Sequence, residues 1–481
     1  MTNFATKFNN KADKSEFMSE INNELRLTGK IFTTGIMSFC GVVSETAMNV
    51  TFPTLMNEFS IGTSTVQWIT TGYLLILSLV ITMSSYLKRN FSTRQLFLTA
   101  ITLFIVATAL CYWSPAFWVL LCGRMLQGVG TGIALPLMFN IILAEAPKEK
   151  LGVFMGVGSL ITAMAPAIGP VLGGYIVDEF GWRVIFLVLL FLLVPSLLLG
   201  ARLIKHEDTG DKSRFHLLEY ILICTGYSAF ILATVRASAD GWLSWQVLGL
   251  MLLSLVSIWL FVRQSRNEKS PLLRFEVMRH PVFVLGLAVI LAVQFCTLAL
   301  GYVIPNYSQI VNGSTAFTSG LLLVPGCIVG AVLALIAGWI LDRIGARKPI
   351  LSGAVFLLLS LLLFSWFGDS MTTALFYGFY IVYTIGQGLC VGNTMTYGLS
   401  KLPKDLSADG NALINSLQQL SGAAGTAVAA TIVASSQSAD MANFAKQTAT
   451  GCRDVFILLA VILVLSLLSA IKMFTTKIHT N

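Results

Sequence analysis

Charged residues are scarce in this sequence. Only 11% of the 481 residues are Asp, Glu, Lys or Arg, whereas 56% are hydrophobic, and the mean hydropathy is +0.79. A soluble domain of average composition carries about 25% charged residues. The shortage of charge therefore excludes an ordinary soluble protein and predicts an integral membrane protein.

Signals for several other classes of protein are also missing. The chain has no G-x-x-x-x-G-K-[ST] phosphate-binding loop, which argues against an ATP-driven pump, and no grouping of side chains indicates an enzyme. The four histidines lie in polar connections without ligand spacing, and the eight cysteines are scattered singly, so we predict no metal site, no cofactor and no disulfide framework. The first 30 residues do not resemble a signal peptide, and the first helix is expected to direct insertion itself.

Long apolar runs make up most of the chain. A helix needs about 20 apolar residues to cross the hydrocarbon core of a membrane, and fourteen stretches separated by short polar loops meet this requirement. They cover residues 31–54, 65–87, 95–113, 117–144, 152–177, 183–203, 217–236, 244–263, 281–304, 317–341, 349–367, 373–398, 409–434 and 453–475. The sequence thus predicts an all-α integral membrane fold with fourteen transmembrane helices.

The positions of the basic residues predict the orientation. If both termini are cytoplasmic, all but five of the 31 Lys and Arg residues fall on the cytoplasmic side. The five exceptions are Arg183, Arg236, Lys446 and Arg453 in outward loops and Arg124 within a span. We therefore predict a multi-pass plasma-membrane protein with both termini cytoplasmic. The net charge of +8 then reflects the basic residues that orient the protein in the membrane and gives some affinity for anionic lipids, and it does not indicate a nucleic-acid partner.

Two short basic stretches suggest an internal repeat. Residues 84–95 read SSYLKRNFSTRQ, and residues 338–348 read GWILDRIGARK. Each follows the second span of a six-span block if the seventh and eighth spans are an insertion, which is the parallel-repeat plan of one large transporter class. The predicted organisation is a cytoplasmic tail over 1–30, a six-helix bundle over 31–203, a linker with two helices over 204–280, a second six-helix bundle over 281–475 and a cytoplasmic tail over 476–481.

An arginine lies within the fourth span, where residues 124–136 read RMLQGVGTGIALP. A guanidinium near the bilayer centre costs roughly 2.5 to 3.5 kcal/mol on insertion scales. Arg124 is therefore expected to face a polar interior or a partner, with Gln127 and Gly128 on the same helix face. The alternative is that Arg124 extends to the outer membrane surface.

The fifth span contains a glycine–proline segment, APAIGPVLGG, over residues 165–174. Pro166 and Pro170 remove helix hydrogen bonds and permit a bend. Gly169 and Gly173 allow a neighbouring backbone to approach closely, and Gly174 completes the segment. A purely structural kink is the alternative reading.

These stretches resemble signature motifs of the major facilitator superfamily. The segment at Arg124 is similar to the R-x-x-Q-G motif, whose arginine is implicated in proton coupling. The fifth-span segment is similar to the G-P-x-x-G-G signature of exporters that work by antiport. Residues 338–348 are similar to the G-x-L-x-D-R-x-G-R-K signature, with a plain topology anchor as the alternative; the matching residues are Gly338, Asp342, Arg343, Gly345 and Arg347.

The N-terminal copy of this last signature departs from the pattern. Arg89 occupies the acidic position, and Ser92 occupies the position of the second glycine. The usual acid–base latch between the two halves is therefore not expected on that side. Fourteen spans, the glycine–proline segment and the stretch Asn49-Val50-Thr51-Phe52-Pro53 together resemble the 14-helix drug:proton antiporter branch (EmrB/QacA-like). This resemblance implies proton-driven export of amphipathic compounds, and it favours a bacterial plasma membrane.

One acidic residue, Glu45, lies deep in a predicted span. The other acids of the chain fall in tails, in loops or at span ends. A carboxylate inside the membrane is costly unless it is protonated or meets a cation, and the family branch usually carries an aspartate at this position. We predict that Glu45, as the sole buried acid, exchanges a proton and that Arg124 tunes its affinity. The alternative is that Glu45 is only a structural partner of Arg124.

Polar and aromatic residues within the spans are candidate substrate contacts, because aromatic faces suit flat or cationic amphipaths. Packing, or a place in the interfacial aromatic belt, explains any one of them equally well. The candidates are Glu45, Asn49, Trp68, Tyr73, Gln294, Asn306, Gln309, Tyr383, Gln387 and Asn393.

The leading functional prediction is a monomeric proton-coupled multidrug efflux antiporter. A single buried acid favours neutral or monovalent cationic amphipathic substrates. Two alternatives stay open at this point, namely export of an endogenous metabolite or lipid and a non-transporting membrane sensor.

Overall fold

The computed structural model describes residues 11–49, 51–61, 63–66, 68–205, 215–268, 271, 273–437 and 443–475. The described chain is helical throughout and contains no β-strand. Its α-helices, in chain order, are α1 (Lys11–Asn49), α2 (Phe52–Phe59), α3 (Thr63–Val66), α4 (Trp68–Thr82), α5 (Ser84–Asn90), α6 (Thr93–Tyr112), α7 (Phe117–Glu145), α8 (Leu151–Phe180), α9 (Arg183–Leu203), α10 (Leu217–Asp240), α11 (Trp245–Asn267), α12 (Pro281–Ile310), α13 (Ala316–Leu321), α14 (Val324–Ile344), α15 (Arg347–Phe367), α16 (Thr373–Ser400), α17 (Ser407–Ser436) and α18 (Phe444–Thr475).

The predicted all-α membrane fold is confirmed, and each of the fourteen predicted stretches coincides with helix. The number of spans is not fully reproduced. In the described chain, 11 helices are long and apolar enough to cross a membrane, or up to 13 if each of two bent pairs is one span. The predicted span that is not apolar enough by this measure is α17, because its many Asn, Gln, Ser and Gly residues make it less apolar than the others.

Breaks and bends interrupt three of the predicted spans. The first span divides into α1 and α2, and α2 has a proline in its first turn. The second divides into α4 and α5, which meet at 49°. In the fifth, α8 bends by 40° between Lys148–Pro166 and Val171–Val177. The bend predicted from the prolines is therefore present, because a proline cannot supply the hydrogen bond that holds a straight helix.

The helices pack in two sets. In the N-terminal set, α1 contacts α7, α8 and α9, while α6 contacts α7 and α9. In the C-terminal set, α12 contacts α16, α17 and α18, and α15 contacts α16 and α18. The α8–α14 pair joins the two sets, and the α10–α11 hairpin packs on both α17 and α4. The boundaries of the predicted bundles stay a prediction.

Ion pairs mark the two ends of the N-terminal set. We call the end at which α1 enters the bundle the tail end; there Lys30 bonds Glu145 at 2.8 Å and Glu24 bonds Lys150 at 2.5 Å. At the opposite, far end, Glu58 of α2 accepts hydrogen bonds from Trp182 Nε1 at 2.6 Å and Arg183 Nη1 at 2.7 Å. Partial burial raises the pKa of Glu58, but these hydrogen bonds outweigh it and hold the pKa below its usual value. Which end faces the cytoplasm stays a prediction.

Candidate functional site

Arg124 lies at the centre of a buried network in the N-terminal set. Its side chain is 0% exposed. Nη1 donates to Ser44 Oγ of α1 at 2.5 Å and to Gln127 Oε1 at 2.6 Å, and the guanidinium lies 4.3 Å from the centroid of the Tyr73 ring. Arg124 therefore does not extend to the membrane surface, and it faces a polar interior as predicted.

The neighbours of Arg124 are themselves held by hydrogen bonds. Gln127 Nε2 donates to Thr108 Oγ1 at 2.8 Å. The Tyr73 hydroxyl lies 2.9 Å from both the Gly41 carbonyl oxygen and Thr131 Oγ1. Tyr73 is completely buried, so its predicted substrate contact is corrected here. The residue supports Arg124, because its face of α4 packs against α1 and α7.

Two N–H groups of Arg124 remain unsatisfied. Nε and Nη2 are buried and have no hydrogen-bond partner among the described residues. Leaving buried donors of a cation unpaired costs free energy, and native structures seldom do so. Glu45 is the next residue along α1 from Ser44, and its charge interacts electrostatically with that of Arg124. Within the described chain no ion pair includes Glu45, so the predicted pairing is one of neighbours and not of direct contact.

Glu45 is half-buried, and the packing of α1 shows where it lies. Gly41 and Ser44 face α7, through Thr131 and Gln127. Thr46 and Ala47 face α8, because they touch Gly169 and Gly173. Glu45 lies between Ser44 and Thr46 in the chain, and therefore between a residue that faces α7 and one that faces α8.

The glycine–proline segment holds α8 against the helix that carries Glu45. A Cβ atom at Gly169 would lie 1.9 Å from Thr46 Oγ1, and one at Gly173 would lie 2.9 Å from Ala47 Cβ. The predicted close approach is thus present at both positions. Gly174 has nothing within 4 Å of such an atom, and Pro166 is exposed. The side chain of Pro170 lies outside the described residues.

Gly173→Ala should destabilise the protein, whereas Gly174→Ala should not. The added methyl at position 173 meets α1 at overlap distance, and overpacking of this kind costs about 1–3 kcal/mol. The same methyl at position 174 enters open space and gains about 0.5–1 kcal/mol of helix propensity. Thermal unfolding of the two purified variants measures the difference. Equal melting temperatures would show that α1 and α8 do not need this contact.

The stretch 338–348 joins the two helix sets at the tail end. Asp342 accepts hydrogen bonds from the backbone N–H groups of Gly152 (2.8 Å) and Val153 (2.9 Å), at the start of α8. A Cβ at Gly338 would lie 2.2 Å from the Gly152 carbonyl oxygen. A topology anchor would need neither contact. Three further residues of the signature differ in their surroundings: Arg343 lies over Trp339 at 4.3 Å, Gly345 ends α14 with φ +82°, and Arg347 is exposed.

The remaining candidate substrate contacts are dispersed. Gln294 of α12 and Gln387 of α16 are half-buried, Gln309 is exposed near the end of α12, and Trp68 is 43% exposed. Among the described side chains, no hydrogen bond joins any of these to Glu45. Asn306 donates to the Tyr302 carbonyl oxygen. Tyr383 and Asn393 are buried and bond Val293 and Ala337, which indicates packing. The side chain of Asn49 lies outside the described residues.

The prediction that Glu45 is the sole buried acid is wrong. Glu219 is 0% exposed and Asp409 is 1% exposed, whereas Glu45 is only half-buried. Both of these acids lie in the first turn of a helix, α10 and α17. Their positions at span ends predict exposure at the membrane surface. They are buried instead, because helices of both sets and of the α10–α11 hairpin meet around these span ends.

A second polar cluster also escaped prediction. Asn411 Nδ2 donates to Asn140 Oδ1 at 2.8 Å and to the Pro136 carbonyl oxygen at 3.1 Å, which joins α17 to α7. Asn415 Nδ2 donates to Asn411 Oδ1 at 2.8 Å. The sequence does contain a signal for this cluster: Asn411 and Asn415 are four residues apart within a predicted span, which places both on one face of the helix.

Comparisons with known proteins identify the family. Residues 34–426 match the family model described as Major Facilitator Superfamily. The chain belongs to this superfamily. The human organic anion transporter MFSD10 (TETRAN) has a similar fold, with a TM-score of 0.62 and 11% sequence identity, over 91% of this chain and 99% of that one. The prediction of a major facilitator fold is thereby confirmed, and the chain is a membrane transporter and not an enzyme.

Two bacterial members of the superfamily are similar over most of their length. The lincomycin resistance protein LmrB of Listeria innocua is 33% identical over 403 residues, which cover 84% of this chain and 86% of LmrB. The multidrug resistance protein Stp of Mycobacterium tuberculosis is 26% identical over 413 residues, which cover 85% of this chain and 76% of Stp. A multi-span major facilitator protein with such relatives is consistent with a place in the bacterial cell membrane.

Proposed function

We propose that this protein is a proton-coupled multidrug efflux antiporter, which exports amphipathic neutral or monovalent cationic compounds by alternating access. The similarity to resistance proteins supports drug export. The observation that carries proton coupling is the arrangement of Glu45 and Arg124. A half-buried carboxylate lies one residue from Ser44, which bonds a buried guanidinium; two nitrogens of this guanidinium have no hydrogen-bond partner among the described residues.

Each protonation state of Glu45 has a use in such a cycle. Protonated Glu45 is neutral and needs no counter-charge from Arg124. After the proton leaves, the carboxylate needs a cation or hydrogen-bond donors. Nε and Nη2 of Arg124, which have no hydrogen-bond partner in the part of the chain that the structure describes, supply these donors, and a cationic substrate supplies an alternative counter-charge. Proton and substrate then compete for one carboxylate, which is the requirement for antiport.

The charge available to a substrate limits the compounds that are exported. Asp409 is paired with Arg89 and Arg274, and the charge of Glu219 interacts with that of Arg89. These two acids are therefore already compensated at the tail end. Of the three buried or half-buried acids Glu45, Glu219 and Asp409, this leaves Glu45 to offer one negative charge, which suits a neutral or singly charged cargo better than a dication.

Substrate-driven proton movement in reconstituted vesicles tests the proposal. Vesicles containing the purified protein and a trapped pH dye should report a proton flux when lincomycin or a monovalent cationic dye is added. A divalent cationic dye should give a flux at least about tenfold smaller, because a second buried charge would remain unpaired.

The matched control is protein-free vesicles of the same lipid, with the same compounds. No proton flux with any compound of a broad drug panel would contradict multidrug antiport. A flux that appears only with a lipid or metabolite extract of the host cells would instead support export of an endogenous compound.

A further inference from the structure

Two of the contacts between the helix sets at the tail end involve a charged side chain, and the internal repeat relates these two junctions; Asn411 also bonds Asn140 and Pro136 of α7. At the first junction, Gly338 of α14 touches Gly152 at the start of α8. Four residues later, Asp342 accepts from the backbone N–H groups of Gly152 and Val153. The carboxylate thus belongs to the second helix of the repeat. It faces the N-terminus of the fifth helix of the other set, where the helix dipole is positive.

At the second junction, α5 meets α17. Ser85 Oγ donates to Asp409 Oδ1 at 2.5 Å, and four residues later Arg89 Nη1 lies 3.5 Å from Asp409 Oδ2. Arg89 Nη2 donates to the Pro271 carbonyl oxygen at 2.7 Å. Asp409 also accepts from the Arg274 backbone N–H, in the connection before α12, at 3.1 Å. The Asp409 side chain is 1% exposed and that of Arg89 is 17% exposed.

The two junctions therefore match in position and differ in the sign of the charge. Ser85 and Arg89 take the places of Gly338 and Asp342, with the same spacing of four residues. A cation beside a helix N-terminus is unfavourable, since both are positive. Asp409 lies in the first turn of α17, where a carboxylate is favoured, and it supplies the negative charge that α5 lacks.

We propose that Arg89 and Asp409 form a charge-reversed latch, which holds the two helix sets together at the tail end. Asp409 is its positioning residue, because it bonds Ser85, Arg89 and Arg274. The role of the latch in transport rests on the proposed alternating access, which requires this end to open. The departure of 84–95 from the family signature is then an exchange of partners and not a loss of the contact.

Hydrogen–deuterium exchange of the purified full-length protein, without substrate, tests the latch. Asp409→Asn should raise the exchange rates of the backbone amides about tenfold, the weight of a charge-assisted hydrogen bond. The increase should appear at α5 and the start of α17. It should also appear at the distant Gly152 and Val153 junction, because the two sets separate together.

The matched control is Asp405→Asn. Asp405 also bonds Arg274, at 2.8 Å, but its side chain is 63% exposed and the pair spans no junction between sets. Asp405→Asn should leave the hydrogen–deuterium exchange rates at both junctions unchanged. An increase confined to α5 and α17 in Asp409→Asn would show a local structural role and overturn the proposal.

A rescue experiment gives the second junction the same arrangement of charges as the first. Arg89→Glu alone places two carboxylates together and should raise exchange at both junctions. Combined with Asp409→Asn and with Glu219→Gln, which removes the acid whose charge interacts with Arg89, it recreates an acid on α5 facing the positive N-terminus of α17, and exchange should return toward the wild-type rate. If this triple variant exchanges faster than Asp409→Asn combined with Glu219→Gln, the latch is refuted.

Ser85→Ala removes one donor without leaving a buried charge unpaired, and it keeps the test valid if Asp409→Asn does not fold. It should raise exchange at both junctions a few-fold, and unchanged exchange would count against the latch. None of these measurements needs a substrate or a proton gradient. A protein that fails to move protons with drugs can therefore still possess the latch, and a protein without it can still couple protons to drugs.

Discussion

Glu45→Gln should abolish substrate-driven proton release from vesicles, with a fall of at least about 100-fold in rate. Glutamine keeps the size and the hydrogen-bonding capacity of the side chain, but it cannot bind or release a proton. Substrate binding by neutral compounds should survive, because the rest of the Arg124 network contacts Ser44, Gln127 and Tyr73 and not Glu45. Glu45→Asp, which restores a carboxylate, should recover part of the flux.

Glu58→Gln is the matched control for this variant. Glu58 follows Glu45 by thirteen positions, and its exposed side chain is bonded to Trp182 and Arg183 at the far end. A surface ion pair contributes about 0–1 kcal/mol to stability, so this variant should release protons at nearly the wild-type rate. Full flux with unchanged pH dependence in Glu45→Gln would refute the proposed role of Glu45.

Arg124→Gln should slow proton-coupled transport by about 100-fold and change its pH dependence. Removal of the guanidinium takes a hydrogen bond from Ser44 and from Gln127 and the cation from the Tyr73 ring, and a buried polar group left without its partner costs about 1–3 kcal/mol. A cation beside a carboxylate favours its ionised form. Proton release at half-maximal rate should therefore move to higher pH. Arg124→Lys should restore the charge but not the planar contacts, and it should recover only part of the rate.

Two measurements separate tuning from support of the fold. Arg183→Gln is the control, because Arg183 is a partly exposed arginine of the same helix set, and it should leave the pH dependence unchanged. If Arg124 only stabilises the fold, Arg124→Gln will melt at a lower temperature, yet the remaining protein will show the wild-type pH dependence. That result would favour the structural reading of Arg124 over the coupling role.

The rare charges of the apolar helices were visible in the sequence, and their partners were not. Arg124 and Glu45 stood out because charge is costly inside a membrane. The contacts of Arg124 with Ser44 and Tyr73 depend on how α1 and α4 are rotated about their axes. Tyr73 looked like a substrate contact for the same reason, since no sequence pattern distinguishes a tyrosine that faces a pathway from one that packs on a neighbouring helix.

The burial of acids at span ends is likewise not predictable from the sequence. The place of Asp409 in the chain predicts a position at a span end, and it does lie in the first turn of α17. Its burial arises because α5 of the other helix set and Arg274 cover it. A contact between residues more than 300 positions apart has no local signature, and only the folded chain brings its two members together.

The sequence by itself determined the membrane class, the helical fold, the superfamily and the two unusual charges. These properties depend on composition, on the length of apolar runs and on short motifs, each of which is local in the chain. The tertiary structure decided which polar groups are paired, which acids are buried and how the tail end is joined. Those outcomes depend on the rotation and packing of helices that are distant in sequence, where half a turn of a helix about its axis exchanges a lipid-facing side chain for a buried one.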